Sequence, residues 1–497
     1  MFRISVLIIL LFYISGCSTN NDEVISKSLD QYEKEYEKLC VNMGENVWSF
    51  YTDSTFHSLD EPRQQFAVFF KNDTLLNDIK NWSLIENIHN DTLKKRIELW
   101  NNILDCAQAN FDNEIMALQD KLENDISQNE ITDELKEKVR AGLHELVLLR
   151  NAKARELGYD NYAHMVLQTT GIDTTWFYST INKIDSLTLP AYTDIVNKIH
   201  AENNTTDIEY NHVRNYIIDG LRLTDIPQID NSEKEILMRR ILSGIGIDLE
   251  KLAIDFKVTK LPPGIGGFGN CVSIPDDFRV VVMKDLSFRY WLHEIGHGLN
   301  WMNVKQTYPV LKGYEWCKGN LCDLYSEAMA ETIERFSEAP NWLIEAGVPQ
   351  QQQDSLRNVA ETVFPVVVRW KLINLMFEIE MYKHPDESPM QIMNVLWEKY
   401  LQINNMYTRP LNLVQLAYIS YPVYIQNYLF ANILSWQIHS YLRKTYGDNY
   451  TNNSETTKYF INNLWSPGEL FDWQTKLQKA TGSKLDVEGY IYSSGQL

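Results

Sequence analysis

The sequence predicts a mostly α-helical fold with one small β-sheet placed just before a helix that carries two histidines one turn apart. Three observations carry this. Apolar residues recur at helical spacing over most of the chain, beginning with Tyr32, Tyr36, Leu39, Met43 and Val47. The period changes to strand-like alternation at about Leu252, where Ala253-Ile254-Asp255-Phe256-Lys257-Val258 follows. Trp291-Leu292-His293-Glu294-Ile295-Gly296-His297 then has the form H-E-x-x-H.

In chain order, residues 1–16 read as a signal peptide. Arg3 gives a positive start and Val6 to Tyr13 is apolar. The junction Ile14-Ser15-Gly16-Cys17 resembles a bacterial lipobox, which makes Cys17 the acylated residue. Residues 17–29 read as a polar tether and 30–497 as the catalytic domain, with two helical subdomains around a central cleft. No acidic residue directly follows Cys17, so the resemblance implies a lipid-anchored protein of the bacterial cell envelope, at the outer membrane. The membrane is met through that lipid alone, because no later stretch is long and apolar enough to span it.

Helices are expected at 30–50, along a series from Ile79 to Ile126, and from Glu130 to Leu157, where Gly158 is a good C-cap. Others are expected near 174–202, 206–223 and 232–246. The glycine-rich run from Gly264 to Pro275 and the β-rich Arg279 to Met283 complete a small twisted sheet. An edge strand there can pair with an extended peptide, making Gly267, Phe268 and Gly269 candidate substrate contacts. The same residues also suit an ordinary structural hairpin. Later helices fall near 322–346, 350–382, 388–404 and 411–446. The last carries Tyr418, Tyr421, Tyr424 and Tyr428 on one face, a stripe that is either core or a source of phenols for a polar cleft.

The net charge of -20 over 497 residues argues against nucleic acid, since phosphate binding needs a basic surface. No repeat of solenoid period is visible. Beyond Cys17 lie Cys40, Cys106, Cys271, Cys317 and Cys322, an odd number. Cys317 and Cys322 flank a turn-like loop that suits a local disulfide in an oxidising compartment, and less well a second zinc site, because no histidine is near.

The chemistry centres on H-E-x-x-H. Residues four apart share a helical face, so His293 and His297 can hold one zinc ion per chain. Glu294 projects beside them, where it can hold a water and take its proton. A third ligand is expected from Ser326-Glu327-Ala328-Met329-Ala330-Glu331 on a following helix, with Glu327 as ligand. Glu331, one turn on, is expected to hydrogen-bond a ligating histidine.

These stretches resemble the zinc dipeptidyl carboxypeptidases of the angiotensin-converting-enzyme family and the thimet oligopeptidase family. Tyr32-Glu33-Lys34 through Trp48-Ser49-Phe50 is similar to the first helix of the former. Leu157-Gly158-Tyr159-Asp160-Asn161-Tyr162 is similar to a segment of both, and Tyr325-Ser326-Glu327-Ala328 resembles F-H-E-A of the converting enzymes. The resemblance implies a clamshell-like multi-helix metallopeptidase fold with a deep channel for short peptides. It also implies that Tyr428, followed by Leu429-Phe430, donates to the oxyanion. Some positions depart from the pattern. The interval from His297 to Glu327 is slightly long, Asn427 stands where a chloride-linked arginine is expected, and Ile425 and Leu416 replace residues that grip a C-terminal carboxylate. Tyr418 falls at a histidine that serves as second transition-state donor.

The expected function is therefore zinc-dependent hydrolysis of short peptides with Glu294 as general base. The alternatives are an inactive, zinc-organised peptide-binding lipoprotein, which needs no base at Glu294, and a structural envelope protein with an accidental motif. Incorporation of a fatty-acid probe checks the lipobox: Cys17→Ser should abolish labelling, and equal labelling of both forms would refute it.

Overall fold

The computed structural model describes residues 18–53, 59–128, 132–222, 230–252, 254–261, 266–314, 316, 322–403 and 416–495. Cys17, Cys317 and the start of the glycine-rich run lie outside them, as does the side chain of Cys322, so the lipidation and the disulfide fall outside the described residues. The described residues are mostly helical with one three-stranded sheet, the class expected from sequence.

Among the described residues the first ten helices are α1 (Ser18–Thr52), α2 (Asp60–Phe70), α3 (Asp73–Ser83), α4 (Asp91–Asn110), α5 (Asn113–Gln128), α6 (Asp133–Glu156), α7 (Tyr162–Thr169), α8 (Thr174–Asn203), α9 (Tyr210–Arg222) and α10 (Asn231–Gly244). Helix α1 begins at Ser18, where a polar tether was expected. Ile25 and Leu29, one turn apart, continue the apolar stripe of Tyr36 and Met43 into the core and so extend the helix backwards. The series expected from Ile79 to Ile126 is interrupted twice. The Asn90 side chain accepts from the Leu93 N–H and starts α4, and the Asp112 side chain accepts from the N–H groups of Glu114 and Ile115 at the start of α5.

The sheet comprises β1 (Ile254–Thr259), β2 (Gly267–Ser273) and β3 (Asp277–Met283), in the order β1-β3-β2. β1 runs parallel to β3, and β2 antiparallel, with Phe268 opposite Val281 and Gly269 opposite Val280. One face, with Phe278, Val280 and Val282, joins the main core; the other packs Val281 with Trp48 and Leu261. The glycine strand is therefore an edge strand, as expected.

After the sheet come α11 (Phe288–Met302), α12 (Cys322–Glu334), α13 (Pro340–Glu345), α14 (Gln350–Lys383), α15 (Pro389–Leu401), α16 (Leu416–Ser420), α17 (Ile425–Tyr446), α18 (Ser454–Phe460), α19 (Trp473–Thr481) and α20 (Val487–Tyr492). The helix expected over 322–346 ends early because Pro340 forces Ala339 into an extended conformation, with ψ 132°. The helix expected over 411–446 is also broken, at Pro422. The tyrosine stripe is therefore not one helical face. Tyr418 sits on α16, Tyr421 and Tyr424 flank the break, and Tyr428 sits on α17.

Two close approaches set the site. A Cβ on Gly296 of α11 would lie 2.7 Å from the Ala330 Cα of α12, so only glycine lets these backbones meet. On the opposite face of α11, the Phe278 ring of β3 fills the space that a side chain at Gly298 would need. One hydrophobic core runs from Ile25 to Ile491 and encloses both helices. No described helix is long and apolar enough to cross a membrane.

Candidate metal centre

Helices α11 and α12 run antiparallel. His297 lies opposite Ser326, Gly296 opposite Ala330, and His293 opposite Glu334. This register brings His293, His297 and Glu327 together, each contributing one ligand atom within 4.8 Å of the others. His293 Nδ1 lies 2.9 Å from Glu334 Oε2, and His297 Nδ1 lies 2.7 Å from Ser326 Oγ. Both rings therefore spend Nδ1 on the protein and turn Nε2 to the centre. The His297 ring is also stacked on Trp301, at 5.6 Å and 19°.

The residues fit a divalent metal. Glu327 Oε2 is buried without a hydrogen-bond partner and lies 3.3 Å from His293 Nε2. Two ligands about 2 Å from one tetrahedral ion stand roughly 3.3 Å apart. The carboxylate expected to orient a histidine is thus Glu334 and not Glu331. Same-face spacing from Glu327 suggested Glu331, but His293 lies one turn before His297 and so, in an antiparallel pair, meets α12 further along. Glu331 instead accepts from Asn432 Nδ2 of α17 at 2.5 Å. Glu334 is held in turn by Arg289 Nε at 3.0 Å.

Burial governs the protonation. Burial pushes the Glu294 carboxyl up to about 7, against the pull of His293. It pushes His297 down to about 4 and Glu331 up to about 7, the latter helped by the charge of Glu334. Burial alone would raise Glu334 too, but the Arg289 guanidinium and His293 hold it at about 2. His293 is raised well above its usual range: burial opposes this, and the carboxylates of Glu327 and Glu334 outweigh it.

The remaining residues singled out in the sequence divide. Glu294 is only 9% exposed, and the Gly269 N–H of the edge strand favours its charged form. A Cβ on Gly269 would lie 3.2 Å from the Glu294 carbonyl oxygen, so this strand touches α11 through its backbone. Gly267 faces the same way, against Leu286, whereas the Phe268 ring packs on Tyr51 at 4.8 Å on the other face of the sheet. Tyr428 is 40% exposed. Its hydroxyl is raised well above its usual range, first by Glu327 and then by burial and Glu294, which places it beside the centre. Tyr418 is buried against Phe377 at 5.9 Å and belongs to the core. Sequence reasoning missed the roles of Ser326, Glu334 and Arg289, and named Tyr424 only as one of the stripe's phenols. The Tyr424 hydroxyl donates to Glu327 Oε1 at 2.6 Å, and its ring stands 5.5 Å from that of Tyr428.

No protein-family model and no curated protein matches this chain. Its fold is that of solved metallopeptidases. Metallocarboxypeptidase 1 of Trypanosoma cruzi superposes with a TM-score of 0.67 at 13% identity, covering 94% of this chain and 98% of that one. An M32 carboxypeptidase from Deinococcus radiodurans R1 gives 0.62 at 12%, covering 94% and 97%. A protein assigned as an oligoendopeptidase F gives 0.63 at 12%, covering 97% and 92%. The expectation of a metallopeptidase fold is met at this coarser level, while the resemblance to the converting-enzyme and thimet families stays an expectation from the sequence motifs.

Competition with a chromogenic chelator tests the register. Glu334→Gln should weaken zinc binding by about 10–100-fold, and Glu331→Gln by much less. A loss at Glu331 equal to that at Glu334 would restore the residue read from sequence.

Proposed function

We propose that this chain is a zinc-dependent peptidase acting on short peptides, of the oligopeptidase or peptidyl-dipeptidase type. The observation that carries the reading is the buried Glu294 carboxylate beside the His293, His297 and Glu327 ligand set, next to an edge strand. A group meant only to bind peptide has no use for a base there. Solved carboxypeptidases and an oligoendopeptidase of the same fold support the reaction class.

Bound zinc supplies a polarised carbonyl and a more acidic water. Glu294 takes a proton from the water that attacks the scissile carbonyl carbon. The Tyr428 hydroxyl donates to the oxygen of that carbonyl as it gains charge. When the C–N bond breaks, Glu294 hands the proton to the departing amine. Burial acts in the direction that suits this role, since it raises the carboxyl above its ordinary range and so favours a group able to take and return a proton. The half-buried edge strand of Gly267 to Gly269 lines up an extended substrate through main-chain hydrogen bonds. The protein works at the bacterial outer membrane, tethered by lipid on Cys17, and takes no nucleic acid partner.

Hydrolysis of a quenched fluorescent peptide by zinc-loaded protein tests the mechanism. Glu294→Gln keeps size and polarity but cannot take the proton, so turnover should fall by at least about 100-fold with zinc retained. Turnover near that of the wild type would overturn the mechanism, and no cleavage of any peptide by the wild type would overturn the function.

A further inference from the structure

The break between α16 and α17 is built more firmly than a turn needs. Pro422 ends the helix, and Val423 then adopts φ +60°, a left-handed conformation that β-branched residues avoid. Two buried charges of opposite sign clamp this strained point. Arg150 of α6 donates to the carbonyl oxygens of Tyr418 at 3.3 Å and Ile419 at 2.6 Å. Glu378 of α14, only 1% exposed, accepts the next two available N–H groups, from Val423 at 2.5 Å and Tyr424 at 3.2 Å. Cation meets carbonyls before the break and carboxylate meets N–H groups after it, a match of charge to backbone dipole on both sides.

What the clamp delivers is Tyr424. The two oxygens of Glu327 are thereby made unlike. Oε1 takes the Tyr424 hydroxyl at 2.6 Å, while Oε2 has no hydrogen bond and faces His293 Nε2 at 3.3 Å. We infer that Tyr424 restricts Glu327 to ligating a metal through Oε2 alone, and that Glu378 is the positioning residue that sets Tyr424 in place. The inference rests on the metal reading above. Its consequence is a coordination position kept open, which a carboxylate ligating through both oxygens would fill. The same placement spaces the second phenol, since the rings of Tyr424 and Tyr428 meet edge-on at 68°.

Visible absorption of the cobalt(II)-substituted protein reads this directly, because four-coordinate cobalt absorbs much more strongly than five-coordinate cobalt. Wild type should show the intense four-coordinate bands. Tyr424→Phe, which removes one hydroxyl, should lose absorbance severalfold while holding one cobalt per chain. Glu378→Gln, which keeps one acceptor oxygen but loses the charge and the two-oxygen grip, should shift the spectrum the same way. The double variant should go no further than Tyr424→Phe, because both act through one hydrogen bond. A merely structural role for Glu378 would lower the melting temperature and leave the spectrum alone. Should Glu378→Gln be unstable, Glu378→Asp, which keeps the charge but shortens the reach to the Val423 and Tyr424 N–H groups, replaces it and should shift the spectrum the same way. An unchanged spectrum in Tyr424→Phe, an unchanged spectrum in Glu378→Gln, or additive changes in the double variant would each overturn the inference with the metal reading intact. Failure of the wild type to take up cobalt would overturn both.

Discussion

The site depends on one contact, the approach of α11 to α12 at Gly296 and Ala330. The two backbones meet where no side chain fits between them. From that contact the register follows. It sets Ser326 on His297, Glu334 on His293, and Glu327 between the two rings. Close-packed helices do not slide by fractions of a turn, so a single small residue fixes two hydrogen-bonding partners and the third ligand at once. Phe278, pressed into the space above Gly298, holds α11 from the sheet side and brings Gly269 to Glu294.

Charge is the second constraint. Glu294, Glu327, Glu331 and Glu334 gather in one region with Arg289, Arg335 and Lys371 around two histidines. Ionised groups taken out of water must be paired, or they change protonation instead. The pattern here shows both responses. Glu334 is paired and held near 2, while Glu294 and Glu331 are pushed to about 7. A divalent cation at the Nε2 atoms and Glu327 Oε2 relieves this crowding of carboxylates, which is the electrostatic reason for a metal at this point.

Local spacing made part of this legible in the sequence. His293 and His297 share a face whatever surrounds them, and the strand alternation before them depends on nothing distant. Glu327 was legible because its residue type and helical setting suffice. Glu334 was not, because choosing it over Glu331 requires the direction and register of two packed helices. Ser326 was hidden for the same reason. The break at Pro422 could have been read from the residue itself, since proline interrupts helices. Its purpose could not, because Glu378 and Arg150 reach it from helices far away in sequence. The start of α1 at Ser18 was missed because polar residues dominate its first turns, although Ile25 and Leu29 carry its burial.

Anomalous diffraction at the zinc edge from zinc-loaded crystals tests the central claim most directly. One peak is predicted, about 2.0–2.2 Å from His293 Nε2, His297 Nε2 and Glu327 Oε2. A peak elsewhere, or zinc bound without Glu327, would contradict the account.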